Sequence, residues 1–180
     1  MQWGPIKIMT DKILFTELIK ENKGIIFKVC NSYCSGKEDR DDLAQEIIYN
    51  LWKSFASYKA NFKFSTWMYR IALNVAISFY RKEKNKPHRT IYSENLLIFE
   101  EASTPYTEEE KNLSLLLQFI GQLKEIDKSI MLLYLSDKSY REIAEITGIT
   151  ESNVATKISR IKEKLKTNFF TNQNNFYGTK

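Results

Sequence analysis

Histidine occurs once in these 180 residues, cysteine twice, proline three times and glycine six times. A single imidazole, His88, leaves hydrolytic chemistry with little to work on, and no nucleophile–base set or glycine-rich phosphate loop is present. Cys30 and Cys34, four positions apart, share a helical face. With His88 remote they do not make a zinc site and read as reduced packing thiols. No apolar run approaches the roughly 20 residues that span a bilayer, and the start, MQWGPIKIMTDK, lacks the apolar stretch of a signal peptide. These absences lead us to expect a cytoplasmic, non-catalytic chain without metal, cofactor or membrane insertion. Met9 offers a second candidate start.

What is present is charge, unevenly placed. The net +5 comes from 27 basic and 22 acidic residues. Lys53 to Lys84 holds seven bases against Glu83 alone, whereas Glu38 to Glu46 holds five acids against Arg40. Separate basic blocks suit a polyanion, although solvated helix faces often look the same.

Apolar residues recur at helical spacing almost throughout, and strand-type alternation is lacking. The periodicity predicts helices over about 13–33, from the acidic cluster EDRDD to Phe55, and from Ser65 or Thr66 to about Arg81. Asp42 and Gln45 have the spacing of a capping box. Periodicity fails between Asn85 and Thr107. The expectation is therefore all-α: two small helical domains, 10–84 and 108–170, a flexible acidic linker at 85–107, and a disordered tail at 171–180.

Near the C-terminus, SYREIAEITGITESNVATKISRIKEKLK places a capping box (Ser139 and Glu142) ahead of one amphipathic segment. Gly148 marks its end, and Thr150 can cap the next. Val154, Ile158, Ile161 and Leu165 form an inner stripe, which predicts a helix-turn-helix. Ser152, Asn153, Thr156 and Arg160 then point outward with Lys157 beside them. Amides and guanidinium groups match base edges; hydroxyls and ammonium groups hold phosphates.

In the N-terminal half, Trp67, Arg70, Asn74, Ser78 and Arg81 share one edge of a mostly apolar helix. An aromatic, an amide and two guanidinium groups suit unpaired DNA, and Lys63 extends the positive field. Equally, Trp67 could belong to the core while the polar residues face water.

Three stretches in order, DDLAQEIIYNLWKSF, FKFSTWMYRIALNVAISFYRKEK and the terminal helix-turn-helix, resemble RNA polymerase sigma factors of the sigma-seventy superfamily, in particular the extracytoplasmic-function (ECF) group. The resemblance covers about Phe15 to Lys166. It implies that Asp42, Gln45, Glu46, Ile48 and Trp52 dock on the clamp helices of the polymerase β′ subunit. It implies that Lys63, Trp67, Arg70, Asn74 and Arg81 serve the −10 element and its melting. Ser152, Asn153, Thr156, Lys157 and Arg160 would serve the −35 element, in a domain that docks on the β flap. Promoter DNA and core RNA polymerase are the implied partners, and regulation by an anti-sigma protein rests on the family alone. Trp67 has no aromatic beside it in sequence, which in the family's terms implies weaker melting. The rival readings are a conventional helix-turn-helix repressor or activator acting without core polymerase, and a helical adaptor that binds proteins only.

Overall fold

The computed structural model describes residues 5–58, 63–84 and 108–177. Every regular element among them is a helix: α1 (Pro5–Tyr33), α2 (Lys37–Phe55), α3 (Phe64–Lys84), α4 (Glu108–Gly121), α5 (Glu125–Tyr134), α6 (Tyr140–Thr147) and α7 (Glu151–Tyr177). The expected linker, 85–107, lies outside the described residues, as does His88. No described helix is long and apolar enough to cross a membrane.

The first three helices pack pairwise against one another. Val29 of α1, Leu43, Ile47 and Leu51 of α2, and Met68, Ala72 and Ala76 of α3 meet with essentially no exposure. The apolar stripe of each amphipathic helix supplies that contact, and its burial stabilises the group by roughly 1.5–3 kcal/mol per large side chain. Among α4 to α7, a separate cluster joins Phe119, Ile120 and Leu123 to Met131, Ile161 and Leu165. Buried Ile130, Leu133, Ile143, Ile146, Val154 and Ile158 belong instead to the cluster that continues into α1–α3. The two helical groups thus share a seam, with α5 against α1 and α3, and α6 against α3.

Several boundaries differ from those expected. α1 starts at Pro5 rather than Ile13, because proline is tolerated in a first helical turn and nothing downstream breaks the helix. α2 starts at Lys37 after Gly36, which caps through no side chain, so Asp42 and Gln45 lie inside the helix and not at its start. Glu38 and Asp39 occupy its first turn and complement the helix dipole there. Ser65 and Thr66 fall within the first turn of α3, where the Thr66 amide donates to the Lys63 carbonyl at 3.0 Å. The segment expected to be a disordered tail is helical as far as Tyr177, because no helix breaker interrupts α7 before Gly178.

Candidate nucleic-acid and polymerase interfaces

The turn between α6 and α7 has the chemistry its sequence suggests. Ser139 Oγ accepts from the Glu142 amide at 3.2 Å, and the Ser139 amide donates to Glu142 Oε2 at 3.0 Å. Those bonds, above all the one from the Ser139 backbone, hold the Glu142 carboxyl below its ordinary range. Gly148 adopts φ 74°, and its amide closes on the Ala144 carbonyl at 2.9 Å. Thr150 Oγ1 then accepts from the Asn153 amide at 3.3 Å, which satisfies one free donor of α7.

With Val154, Ile158, Ile161 and Leu165 buried, Ser152, Asn153, Thr156 and Arg160 are exposed along the outer side of α7. They form one continuous strip of hydrogen-bonding groups. Lys157 stands apart from them: its ammonium lies 2.8 Å from Asp127 Oδ1, so it ties α7 to α5. Asp127 had no signal in sequence, because the pair is 30 positions apart.

On α3, Arg70, Asn74, Ser78 and Arg81 are exposed along one edge, as their spacing requires. Trp67, at the head of that edge, is half-buried among aromatics. Its ring lies 5.2 Å from Tyr58, 5.3 Å from Phe64 and 6.4 Å from Phe55, measured between centroids. The chain fold therefore gives Trp67 aromatic neighbours that its adjacent sequence does not. Lys63, just before α3, reaches across the seam to Glu142 at 3.4 Å.

Asp42, Gln45, Glu46, Ile48 and Trp52 are all exposed on α2, on the side away from Leu43, Ile47 and Leu51. Trp52 keeps 40% of its surface exposed while its ring edge packs on Phe15 at 5.1 Å. Tyr49, 63% exposed, lies in the middle of the same face and belongs with these residues. Plotting α2 at about 100° per residue would have found it. Toward α3 this face borders an open groove of about 540 Å³, lined by Glu38, Asp39, Asp42, Gln45, Glu46, Phe79, Lys82 and Glu83. Its acidic balance suits a cationic partner surface.

Two profiles match the chain, Sigma-70 region 2 over residues 18–86 and Sigma-70 region 4 over residues 113–165. The first covers the three-helix group and the second the helix-turn-helix. The ECF RNA polymerase sigma factor SigW of Bacillus subtilis is 31% identical over 170 residues, covering 87% of this chain and 89% of that protein. RNA polymerase sigma factor YlaC of the same organism is 31% identical over 138 residues, covering 73% and 78%. Among solved structures, CnrH in complex with the cytosolic domain of CnrY aligns at TM-score 0.64 and 17% identity over 89% of this chain and 90% of that one. The sigma factor RpoE from Bartonella quintana, solved with the anti-sigma factor NepR, aligns at TM-score 0.62 and 19% identity over 89% and 98%. The two structures support the fold, and the relatives and profiles support the family. The chain belongs to the sigma-70 family, in its ECF group, and directs RNA polymerase to promoters.

Proposed function

We propose that this ECF sigma factor divides its work among three exposed helix faces. The acidic and apolar side of α2, with Asp42, Gln45, Glu46, Ile48, Tyr49 and Trp52, docks on the β′ clamp helices. Its acids complement basic residues there, and Trp52 supplies an aromatic anchor. The α3 edge of Arg70, Asn74 and Arg81, with Lys63 and Trp67, captures the −10 element and helps to melt it. The outer side of α7 reads the −35 element as duplex: Asn153 and Arg160 at base edges, Ser152 and Thr156 at phosphates. Lys157, its charge balanced by Asp127, serves that surface by holding α7 on α5.

One observation carries this reading. Two separate DNA-suited strips, on α3 and α7, are exposed on a chain that also carries an acidic, aromatic face on α2. A repressor needs only one such strip, repeated in a dimer. Phosphodiester chemistry belongs to the polymerase, and the place of work is the cytoplasm. A separate anti-sigma protein is a fitting regulator, since the RpoE structure holds one.

The decisive experiment is run-off transcription with core polymerase on a promoter library, with and without this protein. Stimulation is expected only when polymerase and protein are both present, on templates sharing a −35 and a −10 element. Tight, sequence-specific duplex binding by the protein alone, with no stimulation of transcription, would establish the repressor instead.

A further inference from the structure

α1 is held by polar bonds at one end and by aromatic rings toward the other. In its last turn the Tyr33 hydroxyl donates to the Glu125 carbonyl at 2.8 Å and lies 2.7 Å from Ser129 Oγ. In its N-terminal half α1 meets α2 through rings, and the ring in their midst is Phe55, the last residue of α2. Measured between centroids, Phe55 lies 5.2 Å from Phe15, 6.4 Å from Trp52, 6.2 Å from Tyr58 and 6.4 Å from Trp67.

Local chemistry builds this arrangement. Trp52 and Phe55 are three positions apart on α2, so they share a face, and their ring planes differ by 14°. Beyond Phe55 the chain turns tightly: the Ser57 amide donates to the Ser54 carbonyl and the Tyr58 amide to the Phe55 carbonyl, each at 3.0 Å. That turn folds the Tyr58 ring back to within 15° of parallel with Phe55. Trp67, in the first turn of α3, meets the Phe55 ring edge-on at 63°.

Phe55 therefore stands between two tryptophans assigned to different surfaces. Among the described residues no ring contact joins Trp52 to Trp67 directly; each touches Phe55. Neither tryptophan is fixed by deep burial, since Trp52 is exposed and Trp67 half-buried. The angle of each ring then depends on its aromatic neighbours, because ring pairs prefer defined offset or edge-on geometries. An aliphatic side chain at position 55 would fill the space without imposing an angle. Stacking on an unpaired base needs such an angle, because the base must meet a ring face.

We propose that Phe55 is a positioning residue for promoter opening, whose ring sets the angle at which Trp67 meets the −10 strand while its other side orients Trp52 for the polymerase. The inference rests on the sigma-factor reading and adds to it a residue that acts through both tryptophans.

The test is a double-mutant cycle on the full chain with core polymerase, reading the rate of duplex promoter opening at saturating polymerase. Phe55→Leu keeps an apolar side chain and should slow opening about two- to tenfold, the worth of an aromatic pair. A pre-melted template should lose less than about twofold. In a Trp67→Ala background Phe55→Leu should slow opening no further, because the ring it acts through is gone. Polymerase affinity should likewise fall about two- to fivefold with Phe55→Leu, and no further in a Trp52→Ala background. Phe55→Tyr keeps the ring and should open promoters at close to the wild-type rate. Phe15→Leu is the control for packing: Phe15 is buried and touches Phe55 and Trp52, but no described ring contact joins it to Trp67. It should cost at least as much stability in urea and slow opening less. Equal slowing by Phe55→Leu with and without Trp67, equal loss on both templates, or equal slowing by Phe15→Leu would overturn the inference. A wild-type factor that opens no promoter would fell the functional reading. A wild type that opens promoters, with Phe55→Leu indistinguishable from it, would fell this inference alone.

Discussion

At residue scale, Trp67 is a packed side chain to which we also assign a DNA contact. Its sequence position beside Arg70 and Asn74 marks it for DNA, whereas its ring packs with Tyr58, Phe64 and Phe55. The packing reading holds in part, because the side chain is half-buried, and the exposed half is what the proposed −10 contact would use. Trp67→Ala should lower stability by about 2–3 kcal/mol, below the range for a fully buried aromatic. Well below its melting temperature, the same variant should slow opening of duplex promoters about tenfold, the equivalent of one lost base stack. A pre-melted template should lose less than about twofold of its activity on this argument. Equal loss on both templates would assign Trp67 to packing alone. Lys157 carries the opposite lesson. It flanks the reading residues in sequence, yet its ammonium bonds Asp127, and no local pattern announces a partner 30 positions away.

Helix boundaries were legible wherever local chemistry sets them. The capping box at Ser139, the left-handed turn at Gly148 and the cap at Thr150 are short-range devices, and all three stand where the sequence put them. The start of α2 was not legible, because Gly36 caps it without a side chain and the Asp42–Gln45 spacing occurs by chance within a helix. Gly148 gives a clean test of the first kind. A Cβ added there meets nothing within 4 Å, so Gly148→Ala should cost only the left-handed backbone strain, about 1–2 kcal/mol in urea unfolding. Gly148→Asn should cost less, since asparagine tolerates that conformation. Equal losses for the two variants would place the strain elsewhere. Glu142 adds an acid dependence. Its lowered pKa contributes stability that is present above the unfolded carboxylate range and lost as pH falls through the folded value.

For the whole molecule, the amphipathic patterns revealed an all-helical chain and two helical groups, but not the seam. Nothing near Tyr33 in sequence points to Ser129, 96 positions later, and buried Lys128 resembles any helical lysine until Tyr33 and Tyr80 enclose it. Around this seam the end of α1 is an alkaline-sensitive region. Burial pushes the Cys30 thiol up to about 11 and the Cys34 thiol to about 12, and raises the Tyr33 hydroxyl as well. Both thiols stay protonated in the folded chain at a pH where the unfolded chain has begun to lose them. Stability is therefore intact below pH 9 and falls as pH rises from there toward the folded values, by up to about 1.4 kcal/mol per pH unit for each group. Lys128 works in the other direction: its lowered pKa makes stability rise with pH until the unfolded lysine also titrates. Urea midpoints should drop between pH 9 and 11, and Cys30→Ala with Cys34→Ala should remove much of that drop. An unchanged slope in the double variant would mean that the thiols titrate normally.

The separation of 92 and 96 positions between Tyr33 and its partners has a consequence for the order of assembly. Closing so long a loop costs chain entropy that grows as the logarithm of its length, somewhat more than the loops about half as long that α1–α3 close among themselves. Synthesis from the N-terminus adds an order of its own, in which the three-helix group can form before the seam docks. On the ribosome the interval is enforced, since α5 cannot reach Tyr33 until it has left the exit tunnel. Throughout that interval the nascent chain presents the α2 face without the second helical group packed beside the first.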